Sequence, residues 1–485
     1  MLFNSYAFIF AFFPLSILGR FLLGAAGKYM FGNLLLLLMS LFFYAYFNIS
    51  YLPLILYSIL INYGVHRFLC YANKKWARKL ALVLAIVFNL GILFYYKYAD
   101  FFAENINVLF QTDYPLKHLL LPLGISFFTF QQLGFVIDSY KKETKQYSFL
   151  NYALFVSYYP QLIAGPIVTY EELIPQLEDT SRQRVNWENV ALGLYVFVLG
   201  LAKKVLIADL FGSVVNWGYA SIESLNAINA VLVILGYTIQ IYFDFSGYCD
   251  MATGIAKMMN IDLPQNFYSP YKATTITEFW NRWHMTLTRF FTRYLYIPMG
   301  GNRKGMLRMC LHTMVVFMVS GLWHGANWTF VLWGTIHGAL VVLTKLLKPF
   351  VSKVPKFVRW SITFIFINAT WVFFRADSIA QAFEMFARLT SSTGVAGFPF
   401  VYENTFLPLI RFVIIHILMI DHGYLSRVVL PGYVLVTLVM LFGRNTSEMT
   451  ESRHLNCWQM ILTSVLLVMC ICSFSGLSTF LYFNF

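Results

Sequence analysis

Two histidines in an otherwise apolar stretch are the first residues of this sequence that could do chemistry. The stretch FMVSGLWHGANWTFVLWGTIHG, residues 317–338, contains His324 and His337 among side chains suited to a membrane interior. Imidazole titrates close to neutral pH, so a histidine can act as a general base or acid. A histidine in a membrane protein also commonly hydrogen-bonds a neighbouring helix, so each of the two has a structural interpretation as well.

The surroundings of His324 favour a chemical role. Gly321 and Gly325 flank it and would allow another backbone or a ligand to approach closely. Trp323 and Asn327 stand beside it in the sequence. We expect His324 to be a reachable, catalytic histidine, with Trp323 and Asn327 binding substrate or lining a cavity.

A second candidate, His284, lies in KATTITEFWNRWHMTLTRFFTRYLYIPMGGNRKG, residues 272–305. Charged and aromatic side chains alternate here at short spacing, which is typical of a helix at the membrane interface or inside a hydrophilic cavity. The glycine pair at 300–301 predicts the end of this helix, and the basic residues after it predict a cytoplasmic loop. We expect His284 to be catalytic together with His324. Four neighbours are expected to bind the anionic donor or to line the cavity: Asn281, Arg282, Trp283 and Lys304.

Two carboxylates stand in the apolar segment IYFDFSGYCDMATG, residues 241–254. Asp244 and Asp250 are six residues apart, so they face different sides of a helix and cannot form a simple carboxylate dyad. Charged groups in a membrane span need a partner or a function. Either Asp244 pairs with a buried arginine or lysine and organises the bundle, or it lines a polar cavity together with Ser246.

Other chemistries lack their signatures. The six cysteines form no CxxC pair and no Cys/His ligand spacing, so we expect neither disulfides nor a bound metal. The sequence has no Walker A loop, no GxGxxG after a strand and no GxSxG elbow. We therefore expect no bound cofactor, and a histidine base that acts directly on an acceptor hydroxyl is the economical mechanism.

The elements that position these residues are membrane helices. Of the 485 residues, 59% are hydrophobic and only 12% are charged, and the mean hydropathy is +0.64, which is typical of a polytopic membrane protein. We expect an all-α polytopic membrane protein with roughly eleven transmembrane helices, together with re-entrant and interfacial helices. Pro160, Gly165 and Pro166 interrupt the apolar segment 158–177, which predicts either a re-entrant segment or a kinked helix.

The basic charge reports the orientation of the chain. The net charge of +13 comes from short loops and not from a nucleic-acid-binding surface. Loops 70–79 and 140–145 are basic, whereas the connection 100–117 is mainly acidic. Because cytoplasmic loops carry the excess of lysine and arginine, we expect the N-terminus to lie outside.

An ordered series of motifs resembles the membrane-bound O-acyltransferase family, and most closely its bacterial branch, the membrane subunit of alginate O-acetyltransferases. The motifs are GISFFTFQQLGFVIDSY (124–140), YYPQLIAGPI (158–167), KKVLIAD (203–209), IYFDFSGYCDMA (241–252), NFYSPYK (266–272), EFWNRWHMTLTRFFTRYLYIPMGGNRKG (278–305), SGLWHGANWTFVLWGTIHG (320–338) and FLYFNF (480–485). The series extends over nearly the whole chain.

The resemblance implies a single acyltransferase domain over residues 1–485, with scaffold helices at 1–120, a catalytic core at 121–340 and C-terminal helices at 341–485. It implies that the helices surround a central buried cavity in which funnels from both sides meet at His324. It also implies that His284 is the second catalytic histidine and that His337 is a packing residue. The chain departs from its relatives at Thr292 and Arg293, where they have an Arg-Asp pair, and at Asn281, where they have arginine.

The implied activity is transfer of an acetyl group from a cytoplasmic donor, acetyl-CoA, across or within the bacterial inner membrane toward a cell-envelope polysaccharide. The implied partner is an extracytoplasmic acetyltransferase that resembles SGNH hydrolases. Three alternatives remain: D-alanyl transfer from a carrier protein to teichoic acid, a transporter or flippase that moves an envelope precursor without chemistry, and a non-catalytic scaffold for a secreted acetyltransferase. The sequence shows no internal repeat of the kind that many transporters have.

Overall fold

The computed structural model describes residues 1–392, 422–451, 454–474 and 480–481. These residues form helices and connecting segments, and no strand occurs among them. Eight of the helices are long and apolar enough to cross a membrane. Three shorter apolar helices add to them, Tyr29–Ala45, Gly432–Phe442 and Cys457–Cys472. The expected all-α polytopic membrane fold is confirmed.

The α-helices before residue 200 are α1 Phe13–Ala25, α2 Tyr29–Ala45, α3 Leu52–Tyr71, α4 Lys75–Leu93, α5 Ala99–Phe110, α6 Ile125–Lys141, α7 Phe149–Ser157, α8 Tyr159–Leu162, α9 Tyr170–Glu178 and α10 Trp187–Ala202. Those that follow are α11 Asp209–Ala220, α12 Ala227–Met258, α13 Ile276–Trp280, α14 Met285–Phe291, α15 Met306–His324, α16 Trp328–Leu346, α17 Lys348–Val351, α18 Lys356–Arg375 and α19 Ile379–Arg388. Three further helices are His422–Phe442, Thr446–Met449 and Cys457–Cys472.

The chain forms two compact units. One consists chiefly of residues 1–197 and 251–264, and the other chiefly of residues 198–250 and 265–392 with the described residues that follow. Within the first unit, the side chain of Asn33 accepts hydrogen bonds from buried Arg20 (3.1 Å) and from Gln183 (3.2 Å). These bonds tie the polar groups of α1 and α2 to the segment after α9. The candidate histidines and their neighbours all belong to the second unit.

Helix α12 is the most deeply buried of the membrane-spanning helices, and α15 is among the least buried. In its most apolar window, 78% of the Ala227–Met258 helix is buried inside the protein, against 22% for Met306–His324. Polar groups on α12 must therefore find partners inside the protein, whereas much of α15 presents an apolar surface suited to lipid.

Helices α15 and α16 form a tight hairpin because two glycines let their backbones meet. A β-carbon at Gly321 would overlap the carbonyl oxygen of Phe330, and one at Gly334 would overlap that of Phe317. A β-carbon at Gly325 would overlap the ring of Phe330. The small residues beside His324 therefore serve the approach of a second backbone, one of the two uses that the sequence suggested.

The segment 158–177 contains two short helices and no continuous one. Helix α8 ends at Leu162 and α9 begins at Tyr170, so the chain between them includes Gly165 and Pro166, where the sequence predicted an interruption. Residues Ile163–Val168 are buried, which satisfies the requirement that irregular backbone at membrane depth be enclosed by protein.

The expectation of one helix that continues to the glycine pair at 300–301 is wrong. The segment 272–305 contains α13 and α14, separated by residues 281–284 and followed by a π-helical turn, Thr292–Tyr296. The break falls at His284, whose φ of +45° is left-handed and cannot continue a right-handed helix. Gly300 and Gly301 also have positive φ, and they form the turn that leads toward α15.

Candidate active site

The structure brings His284 and His324 together in the second unit. His324 is the last residue of α15, and His284 immediately precedes α14. Their ring centroids lie 6.4 Å apart, and the two residues are only 0% and 2% exposed. Two histidines predicted from separate motifs, about forty residues apart in the chain, thus form one buried pair.

Aromatic rings enclose the pair. Trp323 packs against both histidines, with centroid distances of 4.9 Å to His324 and 6.1 Å to His284. Phe245 packs edge-on against His284 at 4.8 Å, and Trp333 and Phe374 pack edge-on against His324 at 5.2 Å. Burial lowers the pKa of His284 to about 3, because the charged ring would be desolvated. His284 is therefore neutral at physiological pH.

One asparagine organises the hydrogen bonds around His284. Asn266 Oδ1 lies 3.2 Å from His284 Nδ1, and it accepts hydrogen bonds from the backbone N–H (3.2 Å) and the hydroxyl (2.8 Å) of Thr286. The Asn266 amide nitrogen donates to Cys249 Sγ at 3.3 Å. Sequence analysis did not single out Asn266; it begins the NFYSPYK motif, which entered only through the family resemblance.

His337 lies beside the pair but has partners of its own. The indole N–H of Trp280 donates to His337 Nδ1 at 3.2 Å, and the His337 ring packs against Trp280 (5.2 Å) and Trp333 (4.9 Å). Indole nitrogen is only a donor, so His337 Nδ1 carries a lone pair and the ring is neutral. These contacts agree with the packing role that the resemblance implies.

The two carboxylates on α12 form separate ion pairs. Asp244 lies 2.6 Å from Lys204 Nζ, which also lies 2.8 Å from Asp209. Asp250 lies 2.5 Å from Lys203 Nζ. Both lysines belong to the π-helical turn Lys203–Ala208. Asp244 thus pairs with a buried lysine, which is the arrangement expected of a residue that organises the bundle. The second carboxylate oxygen of Asp244 accepts the N–H of Leu481 at 3.0 Å.

Two other predicted residues lie in packing or capping positions. Trp283 is 1% exposed and packs against Phe279 and Phe267 at 5.5 and 4.9 Å. Asn327 caps the start of α16, where its side-chain oxygen accepts the N–H of Thr329 at 2.9 Å. Ser246 on α12 is buried.

Three polar residues predicted to bind the donor or to line the cavity are more exposed. Asn281 and Lys304 are exposed, and Arg282 is half-buried. Arg282 pairs with Glu278 at 2.9 Å and covers the ring of Tyr268. Of the predicted substrate-binding or cavity-lining residues, Trp323 is the one that contacts both histidines.

The comparison with known families decides what kind of protein this is. Residues 35–380 match the membrane-bound O-acyltransferase family. The chain belongs to this family. It is therefore an acyltransferase, and the buried histidine pair lies within the matched region.

Individual relatives place this acyltransferase among envelope-modifying proteins. It is 40% identical to the peptidoglycan O-acetyltransferase of Helicobacter pylori, over 100% of this chain and 98% of the relative. It is 35% identical to the probable alginate O-acetylase AlgI of Azotobacter vinelandii, over 81% of this chain and 78% of the relative. Similarity to the teichoic acid D-alanyltransferase of Bacillus subtilis is weaker, at 26% over 48% of this chain and 60% of the relative.

Proposed function

We propose that this acyltransferase transfers acetyl groups from cytoplasmic acetyl-CoA to the hydroxyl groups of a cell-envelope polysaccharide, with peptidoglycan as the first polymer to test. The observation that carries the proposal is the buried His284–His324 pair in an acyltransferase of this family. The choice of acyl group and polymer rests on the full-length similarity to a peptidoglycan O-acetyltransferase.

Acetyl transfer is favoured over D-alanyl transfer by the extent of similarity. The acetylating relatives match at 40% and 35% identity over 100% and 81% of the chain. The D-alanylating relative matches over less than half of it. A transporter without chemistry would have no need for two buried imidazoles in an aromatic enclosure, because imidazole is suited to proton transfer.

The chemistry requires one proton transfer and one acyl transfer. The acceptor hydroxyl oxygen attacks the thioester carbonyl carbon, a C–O bond forms and the C–S bond breaks. The proton of the hydroxyl passes to an imidazole and then to the departing thiolate, which leaves as the free thiol. We assign the base to His324, which could also hold the acyl group briefly as a covalent relay. His284 either orients the reactants or donates a proton to the leaving group.

The proposed binding site of the acyl donor rests on the positive charge of Lys304. Lys304 is exposed in the loop between α14 and α15 and can attract the phosphates of an anionic donor. Arg282 is already paired with Glu278, so its part in donor binding is smaller. The positive-inside rule supports a cytoplasmic position for Lys304 and, separately, for the basic loops 70–79 and 140–145, with the N-terminus outside and the bacterial inner membrane as the proposed location. If an SGNH-like acetyltransferase is the partner outside, its hydroxyl is the acceptor in this step, and it passes the acetyl group on to a hydroxyl of the polysaccharide.

The test is a transfer assay on purified protein in lipid nanodiscs with acetyl-CoA that carries a labelled acetyl group. We expect release of free thiol together with appearance of base-labile acetate on peptidoglycan or on an added extracytoplasmic partner. His324→Gln should abolish both signals. His312→Gln is the matched control, since His312 lies on the same helix, twelve residues or about 18 Å from the site.

Three outcomes would contradict the proposal in different ways. If envelope polymer isolated from cells carries base-labile D-alanine and no base-labile acetate, the protein is a D-alanyltransferase. Movement of a precursor without thiol release would indicate a transporter. Equal activity of His324→Gln and the wild-type protein would remove the histidine pair from the chemistry.

A further inference from the structure

Two backbone hydrogen bonds, here called the backbone bracket, hold residue 266 beside His284. Segment 266–268 runs beside residues 282–286: the N–H of Tyr268 donates to the carbonyl of Arg282 at 2.9 Å, and the N–H of Met285 donates to the carbonyl of Asn266 at 3.0 Å. The side chain of Asn266 continues the bracket by accepting the N–H of Thr286. The bracket therefore fixes both the backbone and the amide plane of Asn266 opposite the His284 ring.

The orientation of the Asn266 amide follows from its partners. A backbone N–H is only a donor, so the amide atom that faces Thr286 N must be the oxygen. The amide nitrogen then faces Cys249 Sγ, which can accept a hydrogen bond. This assignment is the one in which every amide contact pairs a donor with an acceptor.

The orientation of the amide in turn decides the tautomer of His284. The amide oxygen cannot donate, so the 3.2 Å contact is a hydrogen bond only when His284 Nδ1 carries the proton. A neutral imidazole has one N–H, and burial keeps this ring neutral. The lone pair therefore resides on His284 Nε2.

We propose that Asn266 is a positioning residue that holds His284 as the Nδ1–H tautomer, so that Nε2 accepts a hydrogen bond during acyl transfer. This inference rests on the proposed function and decides between the two roles left open there. In this tautomer the neutral ring has no proton at Nε2 to give, so His284 orients the reactants and does not protonate the leaving group.

The separation of the rings fits this role. With centroids 6.4 Å apart, the nearest ring nitrogens can be no closer than roughly 4 Å, which is too long for a direct hydrogen bond. A hydroxyl oxygen between the rings has a single proton. It donates that proton to the His284 Nε2 lone pair when it binds, which aligns the oxygen, and turns it to the His324 lone pair when His324 acts as the base.

Two titratable side chains lie close to His284: His324 on α15 packs beside it, and Cys249 on α12 reaches it through Asn266. The neighbouring charges on α12 and its partner turn, Asp250 and Lys203, neutralise each other. A change in the charge of residue 266 should therefore act on His284 directly.

The experiment compares three variants at their folded concentrations. Asn266→Ala removes the acceptor oxygen, frees the ring and should lower kcat, by up to about 10⁴-fold if the wrong tautomer dominates, while the KM for acetyl-CoA changes little. Asn266→Asp keeps an oxygen for both partners and should restore much of kcat. Thr286→Val is the matched control, because it removes one hydrogen bond to the same oxygen and keeps the backbone N–H.

The pH profile separates positioning from simple structural support. An aspartate next to His284 favours the charged ring, so the acid limb of the kcat profile should move upward by about 1–3 pH units in Asn266→Asp. Nitrogen-15 NMR of histidine-labelled wild-type protein should show a protonated Nδ1 and an unprotonated Nε2 for the signal that His284→Gln removes. This second readout does not depend on activity.

The proposal is overturned if that signal shows a proton on Nε2, or if Asn266→Asp keeps the wild-type profile. It is also overturned if Asn266→Ala and Thr286→Val lose activity equally and only in proportion to folded protein. Failure of the proposed function looks different: wild-type protein would release no thiol from acetyl-CoA, or His284→Gln would keep wild-type turnover.

Discussion

Removing the carboxylate of Asp244 tests whether the residue organises the bundle or takes part in chemistry. Asp244 and Lys204 are 3% and 2% exposed and 2.6 Å apart, so Asp244→Asn would leave a buried ammonium with a weaker set of partners. Breaking a buried pair of this kind costs about 3–5 kcal/mol in the free energy of unfolding. Asp209 remains 2.8 Å from the same ammonium and is 25% exposed, so we expect the lower end, about 3 kcal/mol.

The chain offers a matched control on the surface. Asp262 pairs with Lys257 at 2.8 Å and with Arg182 at 3.1 Å, but the side chains of Asp262, Lys257 and Arg182 are 52%, 27% and 32% exposed, so both ion pairs are screened by solvent. Asp262→Asn should therefore cost no more than about 1 kcal/mol. Thermal unfolding in the same detergent, followed by tryptophan fluorescence, measures both variants. The double variant Asp244→Leu with Lys204→Met should lose less than the sum of the single changes, because it removes the buried charges together.

The bundle-organising interpretation also predicts the activity. Asp244→Asn should lose acyl transfer only in proportion to the folded protein lost. If Asp244→Asn is as stable as Asp262→Asn but inactive, the reasoning is refuted. Asp244 would then have the cavity-lining role that the sequence left open.

Three further predictions concern the site and the membrane orientation. His324→Gln should lower the acyl-transfer rate by about 10²–10⁴-fold at nearly unchanged melting temperature, while His312→Gln retains it; a loss of activity that only follows unfolding would make His324 structural. A cysteine at Asn107 should react with an impermeant maleimide in intact cells and one at Lys75 should not, and the reverse labelling would invert the proposed orientation. Lys304→Glu should raise the KM for acetyl-CoA and leave kcat unchanged, and an unchanged KM would remove this loop from donor binding.

Much of the fold could be predicted from the sequence because its causes are local. Apolar runs of about twenty residues predict membrane helices wherever they occur, and the loop charges predict an orientation that labelling can test. The interruption between α8 and α9 follows from Gly165 and Pro166. The two histidines could be chosen because imidazole in an apolar setting needs a reason to be there.

The contacts of the site could not be predicted in the same way, because they join distant parts of the chain. The sequence around Asp244 does not indicate which cation pairs with it, because its partner Lys204 lies forty residues earlier in the sequence. Arg282 and Trp283 are neighbours of His284 in the sequence, but local pairing and core packing determine where their side chains lie. Proximity along the chain was a poor guide to proximity in space at this site.

The misread helix around His284 and the unnoticed role of Asn266 have one cause. A left-handed conformation at a residue with a β-carbon is unfavourable, and such conformations persist where surrounding structure enforces them, commonly at functional sites. Here the carbonyl and side-chain oxygens of Asn266 accept the N–H groups of Met285 and Thr286, which α14 would otherwise leave unsatisfied at its first turn. The same oxygen that stabilises the helix start reaches His284 Nδ1. The break in the helical pattern is thus the feature that turns His284 toward Asn266, so the place where local propensity fails is the place where the proposed catalytic geometry is made.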